Sequence, residues 1–236
     1  MPRTLLCLSF CGGGTSPFRP WARTLPDDVE LVVHCYPGRE SRYHEPFART
    51  WDQLVSDALT TVRAVGDGSY VLLGHSMGAW VAFDLTRRLE EGAGRPPSAL
   101  VVSAADAPSR WAAERDLPPT TRNTDEELLA WMSAAGQLPA VLLADPDMRQ
   151  IAVEIFRADL RAAESYRYRP GRTVRTPLQV FYGEEDEVDA AAAERWRPMA
   201  AGGFEVERLP GGHFYTPGVW AGLPERLTGL RPRASA

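Results

Sequence analysis

Short apolar runs alternate with amphipathic stretches along most of this chain. Leu5-Leu6-Cys7-Leu8-Ser9-Phe10 reads as a buried strand cut off by the breakers Gly12-Gly13-Gly14. Val29 to Tyr36 predicts a second strand, turned sharply by Pro37-Gly38-Arg39-Glu40, and Ser16 to Ala22 a short helix between the two. From Thr50 to Val65, Trp51, Leu54, Val55, Ala58, Leu59 and Val62 recur at helical spacing, which predicts an amphipathic helix ended by Gly66-Asp67-Gly68. Further strands are expected at Tyr70 to Gly74, Ala99 to Ala104, Leu178 to Gly183 and Phe204 to Leu209, the last with the alternation of a strand exposed on one face. Trp220 to Leu230 predicts a closing helix, and Arg231 to Ala236 a frayed tail.

Strand and helix in alternation imply an α/β domain, with a mostly parallel central sheet and helices on both faces. The rhythm breaks at about 107–173. Thr124-Asp125-Glu126-Glu127 carries the T-x-x-E of a capping box, and Asp145-Pro146 pairs an N-cap with proline in the first turn. Both sites open helices that lie between two strands of the sheet. They are expected to form a helical lid within a single domain spanning 1–236. Its Leu, Met, Trp and Ile residues suggest an apolar acyl chain beneath it.

One strand and the helix after it enclose the chemistry. Gly74-His75-Ser76-Met77-Gly78 is a G-x-S-x-G sequence entered from an apolar run and left into the helix-like run Ala79 to Glu91, the context of a nucleophile elbow. The two glycines let the arms of the turn pass closely, exposing the Ser76 hydroxyl, while the Met77 N–H can stabilise an oxyanion. The glycine-rich loop after the first strand lacks the phosphate-binding patterns and suits a second oxyanion amide, from Cys11 or Gly12. His213 follows the serine in a loop at a strand's end, which makes it the expected base. His75 adjoins Ser76 but should point away from it, and His34 reads as a core residue. Asp186, in Gly183-Glu184-Glu185-Asp186-Glu187-Val188, is the expected acid among the crowded Glu184, Glu185, Glu187 and Asp189, with Asp106 as its rival one strand earlier. Arg39, Arg42 and His44 fall in a polar loop expected to be solvated, or else to border the substrate entrance.

Composition narrows the class further. Of the 236 residues 44% are hydrophobic and 24% charged, which suits a folded globular chain rather than a disordered one. A net charge of −5 supplies no basic footprint for nucleic acid. No signal-peptide core and no run of membrane-spanning length are present, so no membrane partner and a cytoplasmic location are the expectation. The three cysteines, Cys7, Cys11 and Cys35, read as free thiols, and no Cys/His spacing points to a metal.

Several motifs taken together carry a resemblance. These are Phe10-Cys11-Gly12-Gly13-Gly14 with Phe18-Arg19-Pro20-Trp21, Pro37-Gly38-Arg39-Glu40, and Gly74-His75-Ser76-Met77-Gly78-Ala79. Phe156-Arg157-Ala158-Asp159-Leu160 with Glu164-Ser165-Tyr166 and the closing Pro210-Gly211-Gly212-His213-Phe214 complete the set. In this order the chain resembles the free-standing type II thioesterases of polyketide and nonribosomal peptide biosynthesis, which have the α/β-hydrolase fold. The chain departs from the family at Ser9, where proline is usual, at Cys11, where alanine is common, and at Ala104-Ala105-Asp106, which replaces a more basic segment.

The resemblance implies hydrolysis of acyl groups from acyl or peptidyl carrier proteins, clearing misprimed or stalled units in antibiotic-type pathways. It implies no cofactor of the enzyme's own, since the acyl group rides on the partner's 4'-phosphopantetheine. It also implies a monomer, and Ser76, Asp186 and His213 as the triad. Two competing functions share these residues: a carboxylesterase or lipase acting on oxygen esters, and a non-catalytic carrier-protein binder with a vestigial site. A cyclising domain of a larger synthase is a third. A chain running from Met1 to just past its last helix is expected to be independent.

Overall fold

In the computed structural model, residues 3–66, 68–92, 94–109 and 119–230 are described. Part of the expected lid, 110–118, the tail from 231 and Asp67 of the first helix's glycine stop lie outside the described residues. Six strands form one sheet: β1 Arg3–Leu8, β2 Val29–Val33, β3 Tyr70–His75, β4 Ala99–Ser103, β5 Leu178–Gly183 and β6 Phe204–Leu209. Their order is β2-β1-β3-β4-β5-β6, and every neighbouring pair is parallel, so the sheet is wholly parallel where a mostly parallel one was expected. The α/β-hydrolase fold is thus built without an antiparallel strand among the described residues.

Burial follows position in the sheet. β3 and β4 are buried at every residue, as apolar runs covered on both faces require, whereas the edge strands β2 and β6 expose alternate or successive residues. The two faces divide the core by the strand period of two. Leu6, Leu8, Leu72, Leu100 and Val102 point to one side, against α1 (Trp51–Ala64), α2 (Met77–Glu91) and inserted helices. Leu5, Cys7, Val71, Leu73 and Val101 point to the other, against Phe18, Trp21 and Trp220. Shorter pieces cover this second face, chiefly a 3-10 helix at Ser16–Arg23 and the region after β6.

Local chemistry explains where the helices start. Thr50 caps α1 by accepting from the Gln53 N–H. Between β4 and β5 lie α3 (Asp125–Ala134), α4 (Ala140–Ala144) and α5 (Pro146–Glu164). The Thr124 hydroxyl accepts from the Glu127 N–H at 3.2 Å while the Glu127 carboxylate accepts from the Thr124 N–H at 2.9 Å, a reciprocal capping box. Asp145 accepts from the Asp147 and Met148 amides to open α5. After β5 comes α6, Ala190–Glu194, capped by Asp189.

The chain's end differs from the expected single helix over Trp220 to Leu230. Thr216 caps an earlier, shorter helix, α7 (Pro217–Gly222), followed by 3-10 turns at Leu223–Arg226 and Thr228–Leu230. Pro224, with no N–H to donate, prevents α7 from continuing.

Strand order also creates the crevice. From β1 the chain passes outward to β2, then returns across β1 to β3, so the loops after β1 and β3 part to opposite sides of the sheet. The glycine loop and the Ser76 turn flank this opening.

Trp21 anchors the second core face: it is fully buried, donates from Nε1 to the Trp220 carbonyl at 2.7 Å, and meets the Phe18 ring edge-on at 4.9 Å. Trp21→Ala should lower the unfolding free energy by about 3–5 kcal/mol, measured by urea denaturation.

Candidate active site

The turn after β3 is shaped by contact between backbones. A Cβ on Gly74 would lie 2.0 Å from the Gly78 carbonyl oxygen, and one on Gly78 would lie 2.3 Å from that of Leu8. No other residue fits either position. Between them Ser76 takes φ 54° and ψ −122°, a strained conformation for an L-residue. It is held there by its own N–H, which donates to the Ser103 carbonyl at 2.8 Å, and by its carbonyl, which accepts from Ala79 at 2.9 Å. α2 begins at Met77 with no acidic side chain in its first turn, so its N-terminal amides face the crevice with their partial positive charge uncompensated.

His213 lies in the loop after β6, and backbone bonds lock this loop to the one after β5. Glu184 N–H donates to the Leu209 carbonyl at 2.8 Å, and Glu185 N–H to that of Gly211 at 3.0 Å. These bonds bring Asp186 and His213 together. The Nδ1–H of His213 donates to Asp186 Oδ2 at 3.1 Å, with Oδ1 at 3.3 Å, and the Asp186 side chain is only 5% exposed. His213 Nε2 is buried and has no hydrogen-bond partner among the described residues.

None of the other described acidic residues of this region is bonded to His213, although Asp106, Glu185 and Glu187 line the same cavity. Asp106 accepts from Arg195 Nε and Nη2 at 2.8 and 2.5 Å and from the Ala107 N–H. Asp189 caps α6, Glu184 pairs with Arg208 at 3.2 Å, and Glu185 and Glu187 are exposed.

Occupancy separates the two candidate amides of the glycine loop. Gly12 N–H donates to Asp159 Oδ2 at 2.8 Å. Cys11 N–H makes no hydrogen bond among the described residues and remains available, as does that of Met77. The Cys11 thiol is buried, which pushes its pKa well up and leaves it a neutral wall rather than a nucleophile.

Two residues of the sequence analysis sit differently from expectation. Arg39 is not solvated: it is 3% exposed and forms a bidentate pair with Asp159 at 2.6 and 2.8 Å. Arg42 is half-buried between Glu45 and Asp57, so of these three residues His44 alone is exposed. Asp159 was visible in sequence as part of a motif, but nothing local showed its partner. His34 is buried, with Nδ1 2.7 Å from Thr61 Oγ1, and His75 is buried with Nδ1 2.9 Å from Ser103 Oγ. Burial, and then the proximity of His213, hold the His75 pKa well below its ordinary value, so it stays neutral.

Ser76, Met77, Cys11, Asp186 and His213 line one cavity of about 570 Å³. Its remaining wall is largely apolar, with Trp80 from α2, Trp131 from α3, and Phe156, Leu160 and Ala163 from α5. No helix of the described residues is long and apolar enough to cross a membrane.

Residues 3–223 match the family model described as a thioesterase domain. The AMB antimetabolite synthetase AmbE of Pseudomonas aeruginosa is 35% identical over 210 residues, which is 89% of this chain but only 10% of that protein. The gramicidin S biosynthesis protein GrsT of Aneurinibacillus migulanus is 30% identical over 215 residues, covering 89% of this chain and 82% of that protein. Among solved structures, the type II thioesterase BorB from the borrelidin biosynthetic cluster superposes with a TM-score of 0.82 at 33% identity, covering 98% and 94% of the two chains.

Replacing each candidate acid in turn separates them. Asp186→Asn should lower kcat on a p-nitrophenyl acyl ester by about three to four powers of ten, because the imidazole loses its tautomer and its counter-charge. Asp106→Asn should leave turnover close to wild type; the opposite ranking would transfer the acid role to Asp106.

Proposed function

The chain belongs to the thioesterase family, and from that premise we propose that it hydrolyses acyl thioesters carried on the phosphopantetheine arm of acyl or peptidyl carrier proteins. In a polyketide or nonribosomal peptide assembly line this activity clears misprimed or stalled units. One observation carries the reading: the Ser76 turn, the His213–Asp186 pair and a mainly apolar wall from the inserted helices share a single cavity. The apolar wall suits the acyl chain, and the polar end suits the carbonyl to be attacked.

The chemistry follows from the groups present. His213 Nε2 takes the Ser76 proton as Oγ attacks the thioester carbonyl, and the carbonyl electrons move onto oxygen. Met77 N–H and Cys11 N–H donate to that oxyanion. As the tetrahedral intermediate collapses, the carbon–sulfur bond breaks and His213 returns the proton to the departing pantetheine thiolate. Water, deprotonated by the same imidazole, then attacks the acyl-serine and releases the carboxylic acid. Asp186 stabilises the imidazolium in both halves. No cofactor enters this sequence of steps. The helices of 119–164 act as the lid of the acyl site.

Intact-mass spectrometry of carrier proteins loaded with acyl chains of graded length, each incubated with wild type and with Ser76→Ala, tests this reading. The acyl mass should disappear with wild type alone. Survival of every acyl group alongside cleavage of an oxygen ester would replace this assignment with a carboxylesterase.

A further inference from the structure

The chain buries one ion pair that the steps above do not use. Arg39 follows β2 and Asp159 sits on α5, 120 residues apart, and they are 3% and 4% exposed. Burying both charges costs several kcal/mol per ion, and an apolar pair of equal volume would usually serve stability as well. What distinguishes this pair is where its remaining bonds go. Asp159 Oδ2 accepts the Gly12 N–H at 2.8 Å, and Arg39 Nη1 donates to the Gly13 carbonyl at 2.8 Å. Both charges therefore grip the backbone immediately after Cys11, and α5 reaches the same loop again where the Cys11 thiol lies 3.6 Å from the Phe156 carbonyl oxygen.

We propose that Arg39 and Asp159 are positioning residues that tie α5 to the glycine loop, orienting the peptide that carries the Cys11 N–H toward the oxyanion. The proposal rests on the acyl-transfer reading. Its physical content has two parts. Asp159 takes up the Gly12 amide, so the adjacent Cys11 amide is the loop's donor and its direction is fixed by the bond next to it. Arg39 cancels a carboxylate bonded to the peptide next to the donor, which would otherwise leave an unbalanced negative charge one residue from the amide that serves the developing oxyanion. Burial works against the Arg39 charge, but Asp159 outweighs it and keeps the guanidinium more firmly protonated than usual. α5, which also supplies Phe156 and Leu160 to the acyl wall, thereby becomes part of the same rigid unit as the oxyanion site.

The test compares ligands that do and do not develop the oxyanion. An alkyl trifluoromethyl ketone is attacked by Ser76 Oγ; its carbonyl electrons become an alkoxide, and the serine proton passes to His213. A non-hydrolysable thioether analogue of the substrate occupies the same cavity without that step. Arg39→Met should weaken the ketone by about tenfold or more and lower kcat in parallel, while thioether affinity and KM stay near wild type. Arg39→Met/Asp159→Asn, which removes the charge but keeps an acceptor for the Gly12 N–H, should recover most of the loss.

Equal weakening of both ligands, or a double variant no better than the single one, would overturn the proposal. Amide hydrogen exchange adds a readout that needs no turnover and, in the wild type, no variant. The Gly12 N–H should exchange slowly in wild type and quickly in Asp159→Ala, with α2 protection unchanged; a fast Gly12 amide in wild type would also overturn the proposal. Failure of wild type to turn over any ester or thioester would instead remove the acyl-transfer reading, with the Gly12 exchange still deciding the tie itself.

Discussion

The molecule is organised around a steric constraint: three stretches of backbone, from the ends of β1 and β3 and the start of α2, lie closer together than any Cβ would allow. That closeness forces Ser76 into a left-handed conformation costing on the order of 1–3 kcal/mol, which persists only because hydrogen bonds from β4 and α2 hold it. In return the serine projects from the sheet into the crevice where the strand order reverses, beside the amides of a helix N-terminus. The glycine loop, the β5 and β6 loops and the inserted helices all take their functional positions relative to that one turn.

Around it, charge is managed by pairing. His213 lies against a carboxylate that is almost fully buried, and the glycine loop lies against a carboxylate that is buried and neutralised by an arginine. Beneath His213 the ring of His75 packs with centroids 5.1 Å apart, and its Nδ1 joins the Ser103 and Tyr215 hydroxyls, themselves 2.6 Å apart. Kept neutral by burial, His75 adds no positive charge beside the His213 imidazole. Its contact with His213 is one of ring packing.

The cavity combines these polar groups with an apolar wall drawn mostly from helices inserted between β4 and β5. At about 570 Å³ it falls within the range of sites that enclose most of a small ligand. Trp131, Phe156 and Leu160 belong to the insertion, whereas Ser76, Asp186 and His213 belong to the turn and loops at the ends of β3, β5 and β6, so the apolar wall and the polar groups of the cavity come from separate parts of the molecule. The α5 contact with the glycine loop is where the two parts meet.

Much of this was legible along the chain because its causes are local. All six strands appear where short apolar runs meet glycine or proline, differing from expectation only at their ends. The Thr124 capping box and the Asp145 cap form from side chains within three residues of the amides they satisfy. The G-x-S-x-G turn is equally local, since its glycines are required by the path of the backbone itself. The chain's end departs from a single helix because Pro224 stops α7 and the segment continues as 3-10 turns.

What only the tertiary structure decided depends on groups brought together from distant parts of the chain. Asp186 and Asp106 both follow strands and look alike in sequence; they are told apart because the loop after β6 is bonded to the loop after β5, while Arg195 reaches Asp106. Cys11 and Gly12 are neighbours of equal standing until a carboxylate from α5 takes up one amide. Arg39 reads as a surface residue by its polar neighbours and is buried by a partner 120 positions away. Sequence periodicity reports which face a residue turns to its own element, whereas pairing of buried charges is set by how elements pack, and no local pattern encodes that.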